Sequence, residues 1–445
     1  MRRVYALAPL LTTAVLAQAA PMPEPAAASL AGHWQGALSA DGAVQLISVD
    51  LTETPAGLAG TYDIPELGFF EMPLDSISRQ GRKLELELLY GSFTGTWHTE
   101  IDELAAVRTT ETSEIRLHLK RSVRPPGCTA EDVQFESDGV QLAGTILRPE
   151  RPGPHPAAVI LHDAARRHRR HRSYRTYGEI YCRAGIASLI YDKRGAGESE
   201  GDFDAASLDD LTADAVAAYS ILERDSEVSA RHIGFIGFSQ GGWVGPAAAS
   251  QVSTPAFVVM VAGPAVSVWE QEAHRVEYTM RDEDFDDTAI SAALRHTELV
   301  FATARDPGLW PKLRTSVVSA AASPWAEHVD LPDTVDDATS WLLEDYDPRP
   351  VLGNTTVPLL AIFGELDRHV PPAENVAELR QHLTSAGNTN FEIVVIPALA
   401  HRIYTGASQV GDGGFPNSLR RWDRLVPGLF ETIVPWTLSQ VDVSR

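Results

Sequence analysis

Alternating apolar and polar residues mark the first part of the chain. The stretches VQLISVDL, KLELELLY and EIRLHLK place an apolar residue at every second position, which is typical of strands that bury one face. Turn sequences such as ADG, PAG and RQG separate them. The pattern predicts an antiparallel β-domain over residues 30–122, either a small barrel or a sandwich. Residues 121–127 are predicted to be a linker, because Pro125 and Pro126 stop both helices and strand ladders.

Beyond Cys128, short continuous apolar runs alternate with stretches of helical periodicity. The predicted strands are HPAAVILHD, IASLIYD, HIGFIGFS, PAFVVMVAG, VPLLAIFGELD and NFEIVVIPALAH. Among the predicted helices, YRTYGEIYCRAG is closed by Gly185, and SLDDLTADAVAAYSILE is amphipathic and opened by Ser207. Continuous apolar runs separated by helices indicate a mostly parallel sheet covered on both faces. We therefore expect an α/β domain over residues 128–445.

A long insertion interrupts this α/β pattern at about residues 265–345. It is acidic, its periodicity is mostly helical, and it contains Trp310, Trp325 and Trp341. Insertions of this size in a compact domain are usually lids or disordered segments. The tryptophans favour a packed helical lid.

The first twenty residues, MRRVYALAPLLTTAVLAQAA, follow the order of a signal peptide. Two arginines precede an apolar run that is followed by small residues, so cleavage is expected after Ala19 or Ala20. The alternative, a membrane anchor, is disfavoured because an apolar run of about thirteen residues is too short to span a bilayer easily. The sequence predicts an exported protein, periplasmic or secreted, with no stable membrane span after removal of residues 1–20.

Composition narrows the range of partners. The chain has 37 basic and 60 acidic residues, with a formal net charge of −23. This balance argues against a nucleic-acid surface, which needs a broad basic face, and against adhesion to anionic membranes. Oligomeric state is not readable from the sequence. The chain has two cysteines, Cys128 and Cys182, which could pair in an oxidising compartment or remain separate thiols.

The most informative stretch is GFSQGG, which follows the predicted strand HIGFI and precedes a helix-compatible run. Gly237, Ser239 and Gly241 form the G-x-S-x-G pattern of a nucleophile turn. The strand–turn–helix context exposes the serine hydroxyl at the start of a helix, and the two glycines relieve crowding around the turn. Ser239 is the predicted nucleophile.

A serine nucleophile needs a base that an acid holds in orientation. In the order Ser, acid, His, the loops after the next strands supply Asp367 and His401. Both are expected at the carboxyl ends of parallel strands, where such partners meet. Glu365 and His369 are the nearest rivals, and Asp367 is favoured because it lies deeper in its loop.

The oxyanion formed during catalysis needs two backbone N–H donors. The predicted first donor is Gln240, which follows the nucleophile. The second is expected from the loop that begins LHDAARR, from Ala164 or alternatively Asp163.

The same loop continues into HDAARRHRRHR, a basic cluster in an acidic protein. One hypothesis is that Arg166, Arg167 and Arg169 recognise an anionic part of the substrate near the mouth of the site. The other interpretation is a solvated segment that pairs with the acidic lid sequence RDEDFDD, because runs of charge are mostly surface features.

At this point the chain resembles a known family. The stretches LIYDKRGAGESEGDF, GFSQGG, YDPRPVLGNTTVPLLAIFGELDRHVPP and IPALAH are similar to those of α/β-hydrolase superfamily serine esterases, in particular exported bacterial ones with an N-terminal β-domain. The resemblance covers about residues 130–440 and implies an α/β-hydrolase fold. It also implies that Ser239 is the nucleophile, Asp367 the orienting acid and His401 the base.

Two details of the resemblance affect the site. The turn DKRGAGES (residues 192–199) is expected to shape the floor of the site rather than to take part in catalysis. The family usually has a His-Gly pair after the first strand, whereas this chain has His162 followed by Asp163. A carboxylate there would oppose a developing negative charge unless it is turned away or paired with an arginine.

These features predict a serine hydrolase that cleaves a small-molecule carboxylic ester without a metal or organic cofactor, and the arginine hypothesis predicts that this ester is anionic. Cleavage of an amide, a peptide or a thioester by the same three residues is an alternative, since the motifs do not separate the leaving groups. A non-catalytic ligand-binding protein is a third alternative, which the intact Ser, Asp and His residues disfavour.

Overall fold

The computed structural model describes residues 29–441 apart from 41, 112, 341–344, 403 and 406–423. The predicted signal peptide at residues 1–20 and Trp341 lie outside the described residues. The described chain contains a nine-stranded sheet, an eight-stranded sheet and a two-stranded ribbon. The last of these pairs β18 (Tyr404–Thr405) with β19 (Arg424–Leu425).

The N-terminal sheet is antiparallel throughout and strongly curled. Its strands are β1 (Gly32–Ala40), β2 (Ala43–Thr54), β3 (Gly57–Ile64), β4 (Phe69–Pro73), β5 (Ser76–Gln80), β6 (Lys83–Leu88), β7 (Gly91–His98), β8 (Glu103–Thr109) and β9 (Glu114–Ser122). They lie in the order β4-β3-β2-β1-β9-β8-β7-β6-β5. Strands β4 and β5 are therefore opposite edges, yet only Leu74 and Asp75 separate them, a span of at most about 11 Å. The sheet must curl until its edges approach each other, as in a barrel.

The interior of this sheet is filled by aromatic and aliphatic side chains. Trp34 and Trp97 lie edge to face with ring centroids 6.4 Å apart, and both are buried with Phe93 and Leu117. The apolar residues at every second position of β2, β6 and β9 point into this core, and the residues between them are more exposed. The predicted β-domain with one buried face is confirmed.

The second sheet is mixed. Its strands are β10 (Cys128–Ser137), β11 (Val140–Pro149), β12 (His155–Leu161), β13 (Ala187–Tyr191), β14 (Val228–Phe238), β15 (Val258–Val261), β16 (Leu359–Gly364) and β17 (Phe391–Ile396). They lie in the order β10-β11-β13-β12-β14-β15-β16-β17, and all pairs from β13 to β17 are parallel. The six predicted strands are confirmed. The antiparallel strands β10 and β11 were not predicted, because β10 lies at the edge and exposes most of its residues.

Helices cover both faces of this sheet. They are α1 (Arg172–Ala184), α2 (Leu208–Arg224), α3 (Gly241–Ala249), α9 (Pro372–Ser385) and α10 (Leu429–Gln440). Helices α1 and α10 share one apolar core, and α2, α3 and α9 share the other. The predicted helix boundaries are confirmed: Gly185 ends α1 in a left-handed conformation, and Ser207 caps α2 in a reciprocal pair with Asp210. This is the predicted α/β-hydrolase architecture.

The insertion is helical and packed, as predicted. It contains α4 (Val268–Asp282), α5 (Asp287–Arg305), α6 (Trp310–Ala321) and α7 (Val335–Thr339), and α8 (Arg349–Leu352) follows it. Trp325 packs with Val276, Met280 and Ile290 in a separate small core. We call residues 265–340 of this insertion the lid.

Two links join distant parts of the fold. Cys128, at the start of β10, forms a disulfide with Cys182 in the last turn of α1, so the alternative of two separate thiols is wrong. The β-domain contacts the same helix, since Thr176 donates a hydrogen bond to the Gly68 carbonyl at 3.1 Å. In the described part of the chain, no helix has the length and apolar character needed to cross a membrane.

Candidate active site

The turn that carries Ser239 has no room for larger neighbours. Ser239 lies between β14 and α3 with a φ of +53°, a backbone conformation that residues other than glycine rarely adopt. A Cβ atom at Gly237 would lie 1.9 Å from the Gly241 carbonyl oxygen. Glycine at 237 is therefore a steric requirement, and the strained turn holds the serine hydroxyl above the end of the sheet.

The structure brings together the three residues proposed from the sequence. His401 Nε2 lies 3.0 Å from Ser239 Oγ, and His401 Nδ1 lies 2.9 Å from Asp367 Oδ2. Asp367 follows β16 and His401 follows β17, so two neighbouring parallel strands deliver them to the same edge of the sheet. The three side chains form a continuous hydrogen-bonded chain from carboxylate to hydroxyl.

Asp367, not its rival Glu365, contacts His401. Its side chain is fully buried, and its Oδ1 accepts hydrogen bonds from the N–H groups of His369 and Val370 at 2.8 and 2.9 Å. Glu365 instead accepts the Ala398 N–H at 3.3 Å. The imidazole of His369 lies beside that of His401, with ring centroids 4.9 Å apart, so it borders the site without replacing the base.

Two backbone N–H groups are available for an oxyanion. The N–H of Asp163 donates to the Tyr174 hydroxyl at 2.9 Å, which leaves Ala164 as the candidate donor of its loop. Ala164 and Gln240 both line the cavity that contains Ser239. Among the described residues, no acceptor takes either of these two N–H groups. Helix α3 begins immediately after Gln240, so its dipole also favours negative charge at this point.

Asp163, the departure from the family's usual glycine, is paired with an arginine. Arg167 Nε lies 2.8 Å from Oδ1, and a second guanidinium nitrogen lies 2.8 Å from Oδ2. Burial raises the pKa of the Asp163 carboxyl, but the hydrogen bonds from Arg167 and the Ala165 N–H outweigh burial and leave the pKa lowered. The carboxylate is thus ionised and matched by a fixed positive charge.

The hypothesis that Arg166, Arg167 and Arg169 contact the substrate needs correction. Arg169 is buried and its guanidinium donates to Asp192 and Glu198, so it cannot reach a ligand. Arg166 does not line the cavity and pairs with Asp204 at 2.9 Å.

Arg167 lines the cavity, but its guanidinium is engaged by Asp163. The three arginines form ion pairs, as the alternative interpretation expected. Their partners lie in neighbouring loops, however, and not in the acidic lid sequence.

The cavity around Ser239 has a volume of about 620 Å³. Its walls include residues that sequence reasoning missed. They are Ser173, Tyr174 and Tyr177 from α1, Val268, Gln271, Glu272 and Arg275 from α4, and Arg402. Arg172, the last arginine of the basic cluster that the sequence predicted near the mouth of the site, also lines the cavity. The position of α1 directly after the oxyanion loop could have indicated the first group. The second group depends on how the lid docks, which no local pattern encodes.

One set of side chains in the described residues could ligate a metal ion. Ligand atoms of Glu283, Glu327 and His328 all lie within 4.8 Å of one another. None of the three lines the cavity, and His328 Nε2 lies 3.3 Å from a Glu283 oxygen. This set does not contribute to the site at Ser239.

Comparison with known proteins adds a family. The sequence profile of the X-Pro dipeptidyl-peptidase (S15 family) matches residues 138–398. No curated protein matches the chain. Among solved structures, the Pyrococcus furiosus esterase Pf2001 is 20% identical, with 61% of this chain and 83% of that chain covered and a TM-score of 0.41. Est1E from Butyrivibrio proteoclasticus, solved with ferulic acid, is 17% identical, with coverages of 69% and 99% and a TM-score of 0.43.

The profile match spans more than half of the chain. It includes β11 to β17 and the lid, together with Ser239 and Asp367, and it ends three residues before His401. The resemblance to α/β-hydrolase superfamily enzymes is confirmed by this match and by the architecture of the second sheet. The chain belongs to the X-Pro dipeptidyl-peptidase (S15) family of hydrolases.

Proposed function

We propose that this protein is a serine hydrolase that cleaves carboxylic esters of small molecules. The observation that carries the proposal is the hydrogen-bonded chain from Asp367 through His401 to Ser239, at 2.9 and 3.0 Å. A serine hydroxyl is a weak nucleophile, and this arrangement supplies both the base and the acid that orients it.

The reaction proceeds through an acyl-enzyme. Ser239 Oγ attacks the acyl carbonyl while His401 Nε2 takes its proton, and the N–H groups of Gln240 and Ala164 stabilise the oxyanion. The carbon–oxygen bond to the alcohol breaks as His401 returns the proton to the leaving oxygen. Water activated by His401 then releases the acid and restores Ser239.

The charged residues that line the cavity favour an ester substrate over a peptide with a free α-ammonium group. A dipeptidyl-peptidase has to bind the α-ammonium group of its substrate, for which a carboxylate is the natural partner. The carboxylates among the described lining residues are Asp163 and Glu272. Arg167 holds the first, and Arg275 holds the second at 2.5 and 2.8 Å. Neither is left to bind an ammonium group.

Peptide cleavage is the second candidate, because the family is named for X-Pro dipeptidyl-peptidases. The same three side chains can cleave either bond, so substrate preference rests on the walls of the cavity.

The test compares p-nitrophenyl esters, from acetyl to long acyl chains, with an X-Pro dipeptide p-nitroanilide. We expect ester hydrolysis that exceeds anilide hydrolysis and that Ser239→Ala reduces by at least about a thousandfold. Ser250→Ala, at the other end of α3, is the matched control and should keep full activity. An anilide turned over faster than every ester would favour the peptidase. Ester hydrolysis that survives Ser239→Ala would contradict the assignment of the nucleophile.

We also propose that the protein is exported after removal of residues 1–20. The disulfide between Cys128 and Cys182 supports an oxidising compartment. Mass spectrometry of the protein from its host should give an N-terminus at Ala20 or Pro21 and no free thiols. An intact N-terminus with two titratable thiols would contradict export.

A further inference from the structure

A buried lysine lies between the two segments that supply the oxyanion donors. Lys193 belongs to the turn DKRGAGES, directly after β13, and only 3% of its surface is exposed. Its Nζ donates to the carbonyl oxygen of Asp163 at 3.0 Å and to the side-chain oxygen of Gln240 at 2.8 Å. One ammonium group thus bridges the loop after β12 and the residue that follows Ser239.

The contact to Asp163 acts on the neighbouring N–H group. The carbonyl of Asp163 and the N–H of Ala164 belong to the same peptide unit, which is planar and trans, so they point in opposite directions. A donor that fixes the carbonyl therefore fixes the direction of the N–H. A charged donor also polarises the unit and strengthens the hydrogen bond that its N–H can give.

Asp163 is held at all of its polar groups. Tyr174 takes its N–H at 2.9 Å, Arg167 holds its carboxylate, and Lys193 holds its carbonyl. The turn is tied in as well, since the Lys193 N–H donates to the Arg167 carbonyl at 3.0 Å. In a loop where the family usually has a flexible glycine, side chains from two other elements set the conformation of the backbone.

We propose that Lys193 is a positioning residue for the oxyanion hole. It orients the Ala164 N–H through the Asp163 carbonyl, and it fixes the position of Gln240 relative to Ala164 through the Gln240 side-chain oxygen. The proposal rests on the proposed function, because it assigns Lys193 a role in the same reaction. It also gives the turn DKRGAGES, which the sequence predicted to shape the floor of the site, a defined contact with the oxyanion loop.

The first test is the kinetics of Lys193→Met, which keeps the length of the side chain but removes its charge and donors. We expect kcat on the best p-nitrophenyl ester to fall about 30- to 100-fold, less than the loss of a whole donor, with KM changed less than threefold. The acid limb of the kcat/KM profile should not move, because Lys193 does not contact His401. Lys193→Arg, which retains a charge and several donors, should recover at least part of kcat.

Ser199→Ala is the matched control. Ser199 lies in the same turn, where it donates to the Asp192 carbonyl at 2.7 Å and accepts from the Ala143 N–H at 2.9 Å, without touching either oxyanion segment. If Lys193 only supports the turn, both variants should lose kcat in proportion to their loss of melting temperature, and the proposal is overturned. A Lys193→Met enzyme with kcat within threefold of the wild type also overturns it.

A fluorophosphonate probe separates this proposal from the proposed function. Ser239 Oγ forms a bond to phosphorus as fluoride leaves and His401 takes the serine proton, and the phosphoryl oxygen occupies the oxyanion hole. We expect the labelling rate of Lys193→Met to fall in parallel with kcat. Normal labelling of this variant overturns the role of Lys193 alone. Failure of the wild-type protein to be labelled at Ser239 overturns the proposed function and this inference with it.

Discussion

At the scale of single residues, burial near the site controls whether a side chain is charged. His162, which precedes the oxyanion loop, packs between the rings of Tyr174 and Tyr191 with both centroids 4.7 Å away. Burial, with a further contribution from the Lys193 ammonium, lowers the pKa of His162 to about 3. The imidazole is therefore neutral in the folded protein at any pH at which the hydrolase would work.

This shift predicts a loss of stability in acid. The folded-state pKa lies below that of the unfolded chain, near 6.5, so the contribution of His162 is complete above about pH 6.5 and is lost as the pH falls toward 3. From pH 7 to pH 5, the free energy of unfolding should fall by about 2 kcal/mol more in the wild type than in His162→Phe. Urea denaturation at the two pH values measures the difference. Equal losses in both proteins would contradict a lowered pKa of His162 in the folded protein.

At the scale of elements, the edge of the second sheet depends on a covalent link. Strand β10 is mostly exposed and, among the described strands, pairs with β11 alone, while its first residue is bonded to Cys182 on the buried side of α1. The disulfide closes a loop with a sequence separation of 54, which contains β11, β12 and the oxyanion loop. The loop that carries Ala164 therefore lies within the cross-linked segment, whereas Ser239, Asp367 and His401 follow it in the chain.

Replacing both cysteines should destabilise the protein substantially. A loop of this length predicts that Cys128→Ser with Cys182→Ser lowers the free energy of unfolding by about 4 kcal/mol, through the added freedom of the unfolded chain. Denaturant unfolding without reductant measures it, and the single variant Cys128→Ser, which retains the Cys182 sulfur, distinguishes loss of the bond from loss of both sulfurs. A change below about 1 kcal/mol would contradict the expected role of the cross-link.

At the scale of the whole molecule, the β-domain supports a wall of the cavity. The guanidinium of Arg172, which lines the cavity, lies 4.6 Å from the ring of Phe69 and donates to the Leu67 carbonyl. Nearby, Arg183 lies 4.8 Å from the ring of Phe70 but does not line the cavity. Two adjacent phenylalanines thus make similar contacts, but only the arginine that contacts Phe69 lines the cavity.

This pair allows a matched experiment on the role of the β-domain. Phe69→Ala and Phe70→Ala should each cost about 1–2 kcal/mol of stability, because each loses a cation–π contact and part of its buried area. Only Phe69→Ala should also change KM for esters, by about two- to fivefold, because it releases Arg172. Thermal unfolding and steady-state kinetics measure the two effects. Equal KM values in both variants would show that the β-domain does not influence the cavity.

Much of the site could be predicted because its signals are local. The glycine at 237 is required by an atom four residues away, and the cap of α2 involves Ser207 and Asp210, which are three residues apart. Ser239, Asp367 and His401 each follow an apolar strand, and parallel strands end at one edge of a sheet. Sequence order and periodicity were enough to place these side chains together.

The sequence by itself thus determined the two-sheet organisation, most of the strands and helices, the helical lid and the three candidate catalytic side chains. Tertiary structure decided which charges pair. With 60 acidic residues available, no local rule assigns Asp192 and Glu198 to Arg169. It also decided the disulfide and the position of Lys193 between Asp163 and Gln240. Such contacts join residues distant along the chain, and only the packed fold fixes the distances between them.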